Sequence, residues 1–262
     1  MANMTSSAPA AQIAAELSAA TYDEIPALLA RYAEDPRVQV RKACERAERR
    51  RAKELAERER VVAMYGAMAE LGGSGVVLGV DEVGRGSVAG PLTVCAVCLP
   101  AEPVIWGIND SKQLSPAKRE LLAARIAEVA RAIGICHVPP DQIDAHGMAR
   151  ALRQAVAGAV ADTGLEPDRV LMDGNPLGAV PRERNVVHGD ARVACIAAAS
   201  IVAKVTRDQM MVELDEVYPG YHLAASKGYA SAEHIQAIKE KGLSPIHRVS
   251  FCGNFLETGR LF

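Results

Sequence analysis

The stretch Val76-Val-Leu-Gly-Val-Asp-Glu-Val-Gly-Arg-Gly86, running on through Ser-Val-Ala-Gly to Pro91, decides how this chain is read. A short apolar run ends in two adjacent carboxylates, Asp81 and Glu82, and a glycine-rich bend follows at once. Successive side chains of a strand point to opposite faces, so the two acids can serve one site only where the strand ends and its backbone turns. Gly84 and Gly86 allow that turn, because glycine reaches φ values that other residues avoid. Two acids at the mouth of an apolar strand need a counter-charge, and a divalent cation is the usual one.

Outward from this strand the pattern alternates. Strand-like runs fall at 76–81, 92–99, 132–138, 170–173 and 186–188. Helices are expected from Ser115-Pro116 to about 130, from 141 to about 162, from about 191 to 217, and from 231 to 241. The run 92–99 follows the first strand so closely that an antiparallel hairpin is expected. Ala194, Ala197, Ala198, Ala199 and Ser200 give the third helix a small face, which lets it lie close to a sheet. The expectation is an α/β fold, a mixed sheet flanked by helices.

Residues 1–71 differ in composition and read as helical. Thr21 and Glu24 have capping-box spacing ahead of Ile25, Leu28 and Leu29. Asp35-Pro36 supplies a cap and a first-turn proline for a long charged helix. Between Pro36 and Arg60 it carries ten Lys/Arg against five Asp/Glu, with Arg49-Arg50-Arg51 at the centre. Two readings stand side by side: a solvated helix laced by pairs such as Glu45–Arg49 and Glu54–Arg58, and an arm that grips phosphates. Gly72-Gly-Ser-Gly75 is a flexible joint, which divides the chain into an N-terminal helical extension, residues 1–72, and a second domain, residues 73–262.

Composition excludes little. The 262 residues suffice for one large domain and a smaller appendage. A net charge of −2 neither favours nor excludes nucleic acid, since local patches decide that. No apolar run approaches the ~20 residues of a membrane span, and residues 1–7 lack the basic and apolar regions of a signal peptide. Cysteines 44, 95, 98, 136, 195 and 252 show no disulfide-like spacing, and Cys95-Ala-Val-Cys98 is a lone CxxC with no second pair for zinc. Free thiols, a cytoplasmic location, no membrane and a monomer are expected.

Four acids stand where strands end or bends begin: Asp81, Glu82, Asp173 in Leu-Met-Asp-Gly-Asn-Pro, and Asp190 in His-Gly-Asp-Ala. A single Asp before Gly is an ordinary turn former. Four such acids in one α/β domain, where functional groups gather at strand ends, argue for a site. Oxygen donors without a Cys/His cluster select Mg²⁺ or Mn²⁺. Carboxylates around two such ions are the apparatus of phosphodiester hydrolysis. Asp190 is preferred to Asp208 as the fourth acid. Asp208 lies deep in the expected helix, four residues after Lys204, where an ion pair makes it structural.

Rival chemistries fit less well. Gly84-Arg-Gly86-Ser-Val-Ala89 matches the dinucleotide pattern, but a strand follows where that fingerprint needs a helix. No G-x-S-x-G elbow occurs. Of the scattered histidines, His234 and His247 lie in a polar stretch that could approach a substrate. Lys112, Lys204 and Arg207 are candidates for phosphate contacts, or simply exposed basic residues.

Asp81-Glu-Val-Gly-Arg-Gly86 followed by Ala-Gly-Pro resembles the signature of ribonuclease HII, a bacterial type 2 ribonuclease H. The resemblance continues through Asp110-Ser-Lys-Gln-Leu-Ser115, Asp173-Gly-Asn-Pro176, Gly189-Asp-Ala191, residues 198–208, Ser226-Lys-Gly-Tyr-Ala230 and His247-Arg-Val-Ser-Phe251. Gly-Arg-Gly favours this family over its sister, ribonuclease HIII. The resemblance implies a ribonuclease H-like fold, with the N-terminal helices as the extension that some longer members carry. It implies hydrolysis of the RNA strand of RNA–DNA hybrids, leaving 3′-hydroxyl and 5′-phosphate ends. Incision 5′ to a single ribonucleotide embedded in duplex DNA is implied too, with a place in ribonucleotide excision repair and DNA replication. In the family, the carboxylates matching Asp81, Glu82, Asp173 and Asp190 hold the metals. Gly84-Arg85-Gly86 is then expected to contact the ribose 2′-hydroxyl, and Tyr229 to pack on the next deoxyribose. The alternative is a catalytically inactive nucleic-acid-binding module of the same fold; the presence of all four acids argues against it.

Overall fold

A computed structural model describes residues 8–256; residues 1–7, with the expected lack of a signal peptide, and 257–262 lie outside the described residues. The chain divides into two compact units, one up to Val62 and one from Ala63. Among the described residues no helix is long and apolar enough to cross a membrane.

The larger unit is built on β1 (Val77–Val83), β2 (Leu92–Cys98), β3 (Ala132–Val138), β4 (Arg169–Asp173) and β5 (Glu183–Val186). They form one sheet in the order β3-β2-β1-β4-β5. β2 pairs antiparallel with β1, as expected from their close spacing, and also with β3, whereas β4 runs parallel to β1 and β5 to β4. Helices α4 (Pro116–Val129), α5 (Pro140–His146), α6 (Met148–Asp162), α7 (Gly189–Arg192), α8 (Ala194–Val217), α9 (Leu223–Ser226), α10 (Ala232–Lys241) and α11 (Gly253–Leu256) surround it.

Alternation along β1 sorts its residues between two layers. Leu78 and Val80 join Leu92, Val94 and Ala96 in a core against Leu152, Ala155, Val156 and Ala159 of α6. Gly79 faces α8, where a Cβ would sit 2.1 Å from the Cys195 carbonyl carbon. The small face of α8 therefore meets a position with no side chain, and the helix packs against the backbone of the central strand.

Three expected elements differ. The helix expected over 141–162 is broken between α5 and α6 by Gly147, whose φ of 77° ends the first piece. The helix expected from 191 starts earlier, as the short α7, and Val193 in extended conformation separates it from α8. The last strand is Glu183–Val186 rather than 186–188. It is a polar edge strand, so apolar periodicity marked only its final residue, and His188 already turns at φ 54°. All six cysteines are free, four of them buried; burial pushes the Cys195 thiol up to about 12.

The smaller unit contains α1 (Ala10–Ala19), α2 (Ile25–Tyr32) and the first part of α3 (Val38–Gly72). Ile13, Leu17, Ile25, Leu28, Tyr32, Val40, Ala43 and Ala47 form its core. The Thr21 amide and hydroxyl both donate to the Glu24 carboxylate at 2.8 Å, half of the expected capping box. Asp35 accepts from the Arg37 amide at 3.1 Å and caps α3. Several basic residues are absorbed internally. Arg50 donates to the carbonyls of Leu17, Ser18 and Ala20, capping the end of α1. Arg51 and Arg58 lie over the Tyr22 ring at 4.8 Å and 4.2 Å, and Arg58 also pairs with Glu54 at 3.0 Å, as expected.

Candidate active site

β1 ends asymmetrically. On the β2 side, pairing continues through Asp81↔Cys95 and Glu82↔Val94 to Val83↔Thr93. On the β4 side, it stops at Val80↔Met172. The acids are therefore inside the strand rather than past its end, a correction to the expectation. What opens the site is the early stop of β4 at Asp173, which leaves one edge of β1 unpaired. Asp81 is buried beside Ser200 of α8, and Glu82, the next residue, reaches the same cavity along the open edge.

That cavity has a volume of about 410 Å³. Its wall brings together Asp81, Glu82, Gly84, Arg85, Gly86, Lys112, Lys204 and Tyr229, with Ser111 and Ser200 at the back. Asp173 and Asp190 stand outside this wall but within electrostatic reach of it. Gly189, at the start of α7, donates its amide to Asp173 Oδ1 at 2.6 Å. Asp190 follows, buried, with Lys112 Nζ 3.5 Å from its Oδ2.

The electrostatics are those of too many acids in too little water. Burial, then repulsion from Glu82 and Asp173, pushes Asp81 well above the usual carboxylate range, against a Ser200 hydroxyl that favours the anion. Burial also raises Glu82, with Asp173 adding to it and Arg85, 3.6 Å away, opposing. Burial, then Asp110 and Asp173, raises Asp190 in spite of Lys112. For Lys112 burial works downward, but Asp110, Asp190 and Asp81 outweigh it and hold the amine above its ordinary value. Among the described residues, no three His, Cys, Asp or Glu side chains are already gathered as a cation cage. Lys112 and Arg85 stand on the carboxylates instead. The donor set is nevertheless all oxygen and its charge is under-compensated, which fits a hard divalent cation.

The bend after β1 is held from behind. Gly84 has φ 83°, and a Cβ there would fall 2.2 Å from Arg207 Nε. Gly86 has an ordinary φ and open space around it, so only Gly84 is needed for the turn. Arg207 does not present a cation to substrate. It is fully buried, donating to the carbonyls of Pro91, Ala89 and Lys227 and to Ser87 Oγ at 2.7–3.0 Å. The expectation of a phosphate contact fails because every one of these donors points into the fold. Arg248, which the sequence did not single out, is equally buried and donates to the carbonyls of Gly90 and Arg85. Burial and the neighbouring Arg207 push it down to about 10.

The same clamp places Tyr229. The amides of Val88 and Ala89 donate to the Gly228 carbonyl at 2.9 Å and 3.1 Å, and Arg207 lies 5.7 Å from the Tyr229 ring, which is 39% exposed. His234 and His247 do not reach the cavity. Both are buried, with their Nε2 atoms 3.1 Å apart, and they brace this region. Asp208 pairs with Lys204 at 2.7 Å, the helix-turn contact expected of a structural acid. Ser111 and Ser200, hydrogen-bonded to each other at 2.9 Å, were missed. A lone serine in the alanine-rich start of α8 was the available signal.

A mixed five-stranded sheet flanked by helices, with acids gathered where β4 stops beside β1, is the arrangement of a ribonuclease H-like protein. Family models narrow this: that of ribonuclease HII matches residues 78–254, and that of the ribonuclease HII N-terminal domain matches 10–66. The chain belongs to the ribonuclease HII family. It is 45% identical over 226 residues to ribonuclease HII of Lachnoclostridium phytofermentans, covering 86% of this chain and 89% of the relative. Identity to ribonuclease HII of Geobacillus thermodenitrificans is 42%, covering 87% and 83%. Among solved structures, ribonuclease H2 from Pyrococcus horikoshii OT3 is similar at 28% identity with a TM-score of 0.57, covering 66% of this chain and 92% of that one.

Proposed function

We propose that this ribonuclease H hydrolyses the RNA strand of RNA–DNA hybrids and also incises 5′ to single ribonucleotides embedded in duplex DNA. The observation that carries the reading is one cavity with under-compensated acids on one wall and the Gly84-Arg85-Gly86 bend and Tyr229 on another. Asp81, Glu82, Asp173 and Asp190 hold the metal, Mg²⁺ or Mn²⁺. Two such ions, when bound, supply an activated water and charge for the leaving oxygen.

The remaining work falls to the chain. The open space at Gly86 lets a ribose approach the backbone, where its 2′-hydroxyl distinguishes RNA from DNA. Tyr229 offers a flat apolar face to the adjoining deoxyribose, where an extra hydroxyl clashes. Lys112 and Lys204 line the cavity as phosphate contacts, and Lys112 stands 3.5 Å from the Asp190 carboxylate. The same proposal includes a cytoplasmic monomer and a catalytic domain spanning residues 73–262, with residues 1–72 as an extension.

The test is labelled duplex DNA carrying one ribonucleotide, incubated with and without Mg²⁺ or Mn²⁺. Metal-dependent incision on the 5′ side is expected. Binding without incision under either metal supports the inactive module instead.

A further inference from the structure

Ten basic residues lie between Pro36 and Arg60, and the structure divides them. Arg37, Arg50, Arg51, Arg58 and Arg60 are engaged by Asp35, the carbonyls of α1, Tyr22, Glu54 and Glu57. Arg41 is exposed on another side of the helix, and Lys42, Arg46, Arg49 and Lys53 are exposed and form no ion pair among the described residues. They follow one another at intervals of four, three and four residues, which places all four on one face of α3. The core positions Val40, Ala43 and Ala47 belong to a different face, covered by α1 and α2.

We propose that Lys42, Arg46, Arg49 and Lys53 form a second nucleic-acid contact, which grips the phosphate backbone of a duplex without reading base or sugar. It rests on the reading that the substrate is a duplex. Four cations along about 16 Å of a rigid helix match the axial run of about five base pairs at ~3.4 Å each. A membrane surface fits less well, because the apolar face of α3 is already buried and cannot insert. Such a grip holds the enzyme on ribonucleotide-free DNA while it searches for a rare ribonucleotide, since contacts of this kind permit sliding.

The test uses the full-length protein and a 30-base-pair DNA duplex, about three helical turns, containing no ribonucleotide. No cleavage is needed, so the result is independent of whether the proposed reaction is correct. The variant K42Q/R46Q/R49Q/K53Q is compared with a control carrying R125Q/R150Q/R153Q/K239Q, which removes the same charge elsewhere. Counterion release of about 0.9 per phosphate predicts that the slope of log K against log salt becomes shallower by about 3.6 in the stripe variant. The control is expected to shift it by less than about one, and the affinity loss of the stripe variant at low salt exceeds about tenfold. An unchanged slope, or equal changes in both variants, overturns the proposal. If the quadruple variant loses helicity, Arg49→Gln alone decides: a slope change of about one supports the grip and no change refutes it.

Discussion

The bend at residues 84–91 joins two clusters of buried charge that are treated in opposite ways. Before it stand Asp81 and Glu82, desolvated, mutually repulsive and raised in pKa, with only partial neutralisation from Arg85 and Lys112. Behind it lie Arg207 and Arg248, two buried guanidinium groups that form no ion pair among the described residues but are surrounded by carbonyl oxygens. Burying a charge is costly in both cases. The arginine cluster offsets that cost with hydrogen bonds and so fixes a backbone shape. The acid cluster leaves part of it outstanding, and an under-compensated charge cluster of this kind is a place for a ligand.

The largest test of that contrast is Asp81→Asn. Turnover is expected to fall by at least about a hundredfold, because a neutral amide is a poor ligand for a hard cation. Thermal stability without metal is expected to rise at neutral pH. The sign follows from the raised folded-state value: Asp81 favours folding below the unfolded carboxylate pKa and opposes it increasingly as pH rises through the folded one. The melting-temperature gap between mutant and wild type therefore widens as pH rises from about 4, the ordinary carboxylate value. Asp190→Asn is expected to lose activity similarly, while Asp208→Asn acts mainly on stability through Lys204.

The opposite cluster predicts the opposite signature. Arg207→Ala leaves Pro91, Ala89, Lys227 and Ser87 without their donor and is expected to cost about 3–5 kcal/mol, measured by denaturant unfolding. Stability unchanged within about 1 kcal/mol would show that the clamp does not hold the bend.

Smaller effects sharpen the picture. Tyr229→Ala is expected to lose about tenfold more activity on a single embedded ribonucleotide than on a continuous RNA strand; equal losses make the tyrosine a brace. Smallest is the His234–His247 pair. Burial, then His234, pushes His247 down to about 4, so its contribution to stability is present above the ordinary 6.5 and lost as pH falls from there toward 4. His247→Gln is expected to flatten the stability profile across that window by up to about one proton.

Much of the candidate site was legible in the sequence. Asp81, Glu82, Asp173 and Asp190 announced themselves by their positions after apolar runs, and the hairpin of β1 and β2 by its spacing. Arg207 was misjudged because an arginine in a helix pattern gives no sign of whether its guanidinium meets water or carbonyls. Arg248 and the two serines were not assigned to the site for the same reason: their partners lie far away in sequence, at Gly90, Arg85, Asp81 and each other.

By itself the sequence determined the alternation of strands and helices, the acidic strand ends and the basic helix, because periodicity and local charge are properties of neighbouring residues. Tertiary structure alone decided where β4 stops relative to β1, which residue fills the space left at Gly79, and which arginines are buried. Those depend on register and on contacts between segments more than a hundred residues apart, such as Arg207 with Pro91 and Arg248 with Gly90. Local pattern carries no information about them.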